Sequence, residues 1–319
     1  MIGEHTLGYK KQNFSITEYA ADLAKSGIQV LPGKSGTLWT RYESGAMLRR
    51  PTFHFEPPLS GEVRQVLWQS RAAIASYVLK ADESHPTNAW LYICTDYAYA
   101  LDKLDPPVRR NIRRGLKELR IAIITSEQLL AHGTLAFCDT RRRNGLSDGT
   151  PEQFRLWLTA LARIPEVIFL SAWKDDELVA FLTITEVDDW AELGCYSVDA
   201  QLLYRPNDTL IYSALSHYLV ERRFRIVSYG LSSIQTNSNA EGLHRFKTKL
   251  GFEALPVHRA FVPHPLFGPF VNRLTLCCVS TVLQFKPGNR RLRKANGMLA
   301  YMLGETYIPE IEERSTNSE

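Results

Sequence analysis

One stretch, residues 225–253 (RIVSYGLSSIQTNSNAEGLHRFKTKLGFE), constrains the fold more than any other. It opens on Ile226-Val227-Ser228-Tyr229, a short β-branched and aromatic run that ends at Gly230 and reads as a buried strand. Residues 232–239 are rich in Ser and Asn and suit a loop or a ligand contact. Residues 241–250 then read as a short helix. Leu243, Phe246 and Leu250 are taken as its buried face, with His244, Arg245, Lys247 and Lys249 placed elsewhere. Gly251 sits where a helix C-cap glycine belongs, and Phe252 begins the next extended run. A strand, a polar loop, a basic helix and a second strand fit a sheet that presents a ligand site at one end.

The preceding residues supply the rest of such a sheet. Three strands are expected at 167–173, 178–187 and 191–198. The polar turns 174–177 and 188–189 join them into an antiparallel meander. A helix over 209–222 follows, capped by Asn207 or Asp208. Upstream, Pro106 and Pro107 open a helix with the apolar stripe Val108, Ile112, Leu116 and Leu119. Arg109, Arg110, Arg113, Arg114 and Lys117 cover its other faces, and they suit either solvent or a phosphate backbone. A strand is expected at 121–124, one helix over 126–140, and another over 151–163.

The order of elements and the sequence Phe246-Lys247-x-x-x-Gly251-Phe252 resemble the end of an acyltransferase domain of the GNAT superfamily, in its FemABX-like branch. The run Arg109-Arg110-Asn111-Ile112-Arg113-Arg114 resembles the helix that opens the second domain of FemABX-like transferases. The resemblance covers about half the chain. It implies an α/β (α+β) fold with a mixed, mostly antiparallel sheet flanked by helices. The divisions it suggests are an α/β domain at 1–99, a GNAT-like domain at 100–265, and a helical extension with a polar tail at 266–319. Whether 1–99 is a degenerate second copy stays open, because no internal repeat is strong enough to prove duplication.

The resemblance also implies a function: transfer of an acyl or aminoacyl group from a thioester or ester donor to a small-molecule or peptide amine. The co-substrate is acyl-CoA or aminoacyl-tRNA, and no metal is expected. In such a domain the fourth and fifth strands splay around the donor, and the next helix points its N–H groups at a pyrophosphate. The resemblance therefore assigns donor binding to Tyr196, Ser197, Val198, Arg205, Asp208, Thr209, Leu210 and Arg245. Lys247, matching the lysine of the Phe-Lys motif, and Tyr229 are the catalytic candidates. Ser232, Ser233, Asn237 and Asn239 are the substrate-binding candidates. Ser197 is expected to face the donor, so that a large side chain there blocks binding and spares folding. Lys249 is expected to be inert. The segment 202–208 lacks the glycines that the superfamily usually places before this helix. Without glycine a backbone approaches a pyrophosphate less closely, which sets this chain apart from ordinary acetyl-CoA enzymes. Two alternatives remain: a peptidoglycan-bridge aminoacyltransferase, and a non-catalytic module that binds an anionic partner.

Composition enters where it excludes. The net charge of +4 is compatible with anionic substrates and selects none of them. The five cysteines show no CxxC spacing, which fits reduced thiols in a cytoplasmic protein. The first twelve residues lack the apolar run of a signal peptide. Beyond Phe270, apolar blocks adjoin the basic block 286–294. A helical pair packed on the domain is the preferred reading there, and a contact with a membrane surface, peripheral at the inner membrane, is the alternative.

Overall fold

The computed structural model describes residues 14–42, 45–144, 149–233 and 240–304. The described strands are β1 (Val30–Pro32), β2 (Leu38–Arg41), β3 (Met47–Arg50), β4 (Ile74–Lys80), β5 (Ala89–Cys94), β6 (Arg120–Ile124), β7 (Val167–Lys174), β8 (Glu177–Val187), β9 (Trp190–Ser197), β10 (Ile226–Leu231) and β11 (Glu253–Pro263). The α-helices are α1 (Ile16–Lys25), α2 (Glu62–Ser70), α3 (Pro106–Glu118), α4 (Ser126–His132), α5 (Thr134–Arg143), α6 (Pro151–Leu161), α7 (Pro206–Leu215), α8 (Ala240–Thr248), α9 (Arg273–Phe285) and α10 (Arg290–Met302). All eleven strands join one sheet in the order β1-β2-β3-β4-β11-β5-β10-β9-β8-β7-β6. Strands from before residue 100 and from after it thus share a single hydrogen-bonded ladder. β4 and β5 are consecutive in sequence but not neighbours, because β11 pairs antiparallel with both.

Helices cover both faces, as a sheet buried on two sides requires. On one face, Val108 and Ile112 of α3, Leu210, Ile211 and Ala214 of α7, and Leu250 just past α8 share a core with Leu170, Leu182 and Leu193 of the sheet. On the opposite face, Tyr19 and Leu23 of α1 pack with Trp190 and Val257. Phe137 of α5 and Phe154 of α6 pack there with Phe169 and Phe181.

The expected elements appear with local differences. Ser15 and Glu18 form a reciprocal capping box at α1. The helix expected over 126–140 is two helices, broken at Gly133. A Cβ at Gly133 would lie 2.8 Å from the Leu129 carbonyl oxygen, so the backbone is too close for any other residue. The cap expected at Asn207 or Asp208 is Arg205, in a left-handed conformation with φ 58°. α7 continues beyond Leu215 as a π-helical turn, Ser216–Glu221.

The crossing of α3 on α7 is set by Gly115. A Cβ there would stand 1.9 Å from Thr209 Oγ1 and 3.3 Å from the Tyr204 carbonyl oxygen. Helix propensity favours alanine by about 1 kcal/mol, while overpacking a core costs about 1–3 kcal/mol. With so short an approach the clash should win. Gly115→Ala is expected to lower the urea midpoint by the equivalent of about 1–2 kcal/mol, and Thr209→Ala in the same chain to restore most of it. An unchanged midpoint in the single variant would show that the two helices separate without cost.

Candidate active site

β9 and β10 run parallel and pair at only three positions: Ile226 with Trp190, Val227 with Ala191, and Ser228 with Glu192. Beyond Ser228 the two strands part. The cause is visible on the other edge of β10, where the register with β5 shifts between Ser228 and Leu231. This is a β-bulge, which bends a strand and takes a residue out of the ladder. Gly230 adopts φ 70° there, and its N–H donates to Ser228 Oγ at 3.1 Å.

The bulge leaves the Tyr229 carbonyl to a side chain. Lys247 Nζ donates to it at 3.0 Å. The ammonium also lies 4.0 Å from the centre of the Tyr92 ring and 4.8 Å from that of Tyr229. Lys247 is only 3% exposed. Burial without a carboxylate partner disfavours its charge and pushes its pKa down to about 7. Near Lys247, the Tyr92 hydroxyl lies 3.0 Å from His244 Nδ1. Burial and the Lys247 charge both lower the His244 pKa. The Tyr229 hydroxyl is held well above its ordinary pKa by burial. Burial likewise pushes the neighbouring Cys195 thiol up to about 12, which favours its protonated, unreactive form at neutral pH.

Glu192 reaches the same point from the other face of the sheet, because it alternates with Ala191 and Leu193 along β9. Its carboxylate pairs with the Arg50 guanidinium. A Cβ on Gly230 would be 3.9 Å from Glu192 Oε1, which places that carboxylate beside the bulge. A cation and an anion thus flank the place where the strands separate.

The far end of the gap is filled by protein. Thr140 Oγ1 of α5 accepts from Ser197 N–H at 2.8 Å and donates to the Ser197 carbonyl at 3.2 Å. Ser197 Oγ accepts from Arg143 Nη2 at 3.0 Å and from Asn207 Nδ2 at 3.1 Å. Arg143 also pairs with Asp199. At the start of α7, buried Asp208 accepts from Lys249 Nζ at 3.1 Å.

These positions sort the residues expected from sequence. Lys247 and Tyr229 come together at the bulge. Ser197 is wholly buried and held from four directions, so tryptophan there would disrupt the fold rather than spare it. Tyr196 points to the opposite face and stacks on Phe181 at 4.8 Å. Val198 and Leu210 are core residues. Thr209 Oγ1 donates to the Arg205 carbonyl. Arg205 is exposed at the end of the 3₁₀ turn Asp199–Tyr204. Arg245 lies on the surface, paired with Glu241 at 2.9 Å. Lys249, expected to be inert, instead neutralises Asp208. Ser232 Oγ accepts from Trp90 N–H at 3.0 Å, extending the β5–β10 ladder. Ser233 is half-buried beyond it. Asn237 and Asn239 lie outside the described residues.

Glu192, Arg50, Thr140, Arg143 and Tyr92 are not expected at the site from sequence, and Asn207 is expected only as a helix cap. Glu192 alone carried a signal: a carboxylate inside an otherwise apolar strand. Among the described residues no cluster of three His, Cys, Asp or Glu side chains could hold a metal.

An antiparallel meander, a parallel fifth strand that splays from the fourth, and a helix between them define a GNAT-like fold of the FemABX type. No family profile matches the sequence, and no curated protein matches it. Solved structures do. The chain is similar to the C-terminal domain (DUF2156) of a putative lysylphosphatidylglycerol synthetase from Agrobacterium fabrum, with TM-score 0.52 and 16% identity over 83% of this chain and 92% of that one. It is similar to FemX, with TM-score 0.51 and 10% identity over 81% and 99% of the two chains. It is also similar to L-PGS from Bacillus licheniformis, with TM-score 0.50 and 12% identity over 89% and 100%. At these identities the likeness is one of fold.

Proposed function

We propose that the chain is an N-acyltransferase whose donor is an aminoacyl ester of tRNA and whose acceptor is an amine. The observation that carries the reading is the pair of opposite charges, Lys247 and Glu192, at the opening of the β9–β10 gap. Attack of an amine on an ester forms a C–N bond and breaks a C–O bond. The amine must lose a proton, the leaving ribose oxygen must gain one, and the carbonyl oxygen carries negative charge between the two events. Glu192 suits the first task, holding the incoming ammonium and taking its proton. Lys247 suits the third, as a cation held close to the developing oxyanion or to a donor phosphate. Tyr229 is the proposed source of the proton for the leaving oxygen; burial disfavours the phenolate left behind, and Lys247, 4.8 Å from the ring centre, is the cation that would offset this.

Two features favour the aminoacyl ester over a CoA thioester. A thioester donor of the kind the resemblance implies would pair its amides with β9, and at Ser197 that edge is taken by Thr140. A pyrophosphate would sit at the start of α7, where Asp208 already occupies the first turn. The basic side of α3 is adjacent, since Gly115 packs on Thr209 of α7, and Arg110, Arg113 and Arg114 are exposed there.

Turnover of a labelled aminoacyl-tRNA with a panel of small and peptide amines tests the reading, with acetyl-CoA run in parallel. Turnover with acetyl-CoA alone would overturn the donor assignment. Retention of tRNA without any transfer would favour a binding module instead. Reversing Arg110 and Arg113 to Glu is expected to weaken tRNA retention and to flatten its salt dependence by about two counterions, roughly 0.9 per phosphate contact in the logarithmic slope. Wild-type retention that does not change with salt would remove tRNA from consideration.

A further inference from the structure

The strongest feature outside the active site is the outer surface of α9 and the 3₁₀ turn Pro265–Phe270 that leads into it. Leu274, Cys278, Val282 and Phe285 follow one another at helical spacing and are all exposed. Leu274 is 75% exposed and Phe285 82%. Leu266, Phe267 and Phe270 in the preceding turn are exposed as well. Beside them, the partly exposed Trp68 ring lies 4.5 Å from the His264 ring. No charged side chain interrupts residues 274–285. The inner side of α9 is held by α10, where Ser280 Oγ donates to Asn296 Oδ1 at 2.7 Å. α10 in turn rests on β11, where Tyr301 meets Phe261 at 5.5 Å. α9 is therefore the outermost layer, and its apolar side faces away from the protein. Exposed apolar patches of this kind mark interaction surfaces.

Charge indicates the occupant. From residue 254 to residue 304 the chain contains no Asp or Glu, while it contains seven Lys and Arg, more than the net charge of the whole chain. Arg273 and Lys286 stand exposed at the two ends of α9. An apolar helical face with cationic ends matches the boundary between acyl chains and anionic headgroups. At 13 residues α9 is about 20 Å long. Among the described residues no helix is long and apolar enough to cross a membrane, so the geometry is that of a helix lying in the plane of the surface.

We propose that α9 and the 265–270 turn form a docking surface for an anionic lipid bilayer. The inference stands apart from the acyl-transfer reading, because it uses none of the residues at the β9–β10 gap. Flotation of the full chain with vesicles tests it. Binding is expected to vesicles containing about 30% phosphatidylglycerol in phosphatidylcholine and to be at least about tenfold weaker to pure phosphatidylcholine. The double variant Leu274→Glu, Phe285→Glu is expected to lose at least about tenfold in partitioning. Its melting curve should match the wild type, since both side chains are exposed. Leu274→Met with Phe285→Leu, which keeps the surface apolar, is expected to stay bound. Equal flotation of wild type and the Glu variant would overturn the proposal, as would no flotation with either vesicle. A wild-type dimer that the Glu substitutions dissociate would assign the surface to a second copy. Flotation that appears only after removal of residues 305–319 would assign it to the chain's own tail.

Discussion

Lys247→Met is expected to lower turnover by about two orders of magnitude, the size typical of losing one donor that stabilises developing charge. Methionine keeps the length and the apolar stem, so the space between the Tyr92 and Tyr229 rings stays filled. The fold should not suffer. A buried lysine is costly while it is charged, and folding moves its pKa from 10.5 to about 7. Between those values the unfolded chain binds more protons than the folded one, so the stability tied to Lys247 is fully present above pH 10.5 and is lost as pH falls toward 7. Lys247→Met should remove that slope and melt at or above the wild-type temperature at neutral pH. Catalysis runs the other way. If the charged form is the active one, kcat/KM of the wild type falls as pH rises through about 7, where the free enzyme loses the proton. Binding of an anionic donor at higher pH should then draw a proton from solution. Calorimetry in buffers of different ionisation enthalpy would register this, and the variant should show no such uptake. Lys80→Met, on the exposed end of β4, is the control. A Lys247→Met enzyme with full activity would remove Lys247 from the chemistry, and one that fails to fold would make it a structural residue.

Arg222→Met should be the most destabilising of the substitutions considered. Glu186 is 1% exposed on β8 and is satisfied by two groups from the helical segment after α7. Arg222 Nη1 lies 2.7 Å from Glu186 Oε2, and the Tyr218 hydroxyl donates to Oε1. The guanidinium also stacks 4.5 Å from the centre of the Phe224 ring. Removing the cation leaves a buried carboxylate with the tyrosine hydroxyl as its remaining partner of the two. Breaking such a pair from one side typically costs about 3–5 kcal/mol. The expected readout is an equal fall in unfolding free energy by urea titration, followed by circular dichroism and tryptophan fluorescence. The double variant Glu186→Leu, Arg222→Met should recover much of the loss, because no charge is then left unpaired. A single variant as stable as the wild type would mean that Glu186 does not depend on Arg222 in the folded protein.

The organising stretch was legible because its strand, cap glycine and second strand are local features. What escaped it depends on partners far away in sequence. Lys247 was placed off the buried face of α8, yet 243, 247 and 250 share a helical stripe. In the structure Lys247 and Leu250 are buried, while Leu243, expected on the buried face, is 39% exposed. Lys249 looked inert because Asp208, its partner, is some forty positions away and belongs to another helix. The plug formed by Thr140 and Arg143 is a tertiary contact with no sequence pattern of its own. For α9 a helical pair packed on the domain is the expectation from sequence, since surplus helices on such domains are common, and only the structure shows how much of its apolar surface is left outside. β3 is short and ends in two arginines, so nothing in its composition announced a strand.

The insertion of β11 between β4 and β5 has a consequence for how the protein is made. Both flanking strands leave the ribosome well before the strand that joins them, which follows β6 to β10 in the chain. Until then the nascent chain carries two open strand edges, the kind of surface on which other chains pair. Contacts so distant in sequence also close slowly. A chain cut before Glu253 should therefore aggregate rather than form a smaller soluble protein, and in the cell β4 and β5 depend on being shielded until β11 has been made.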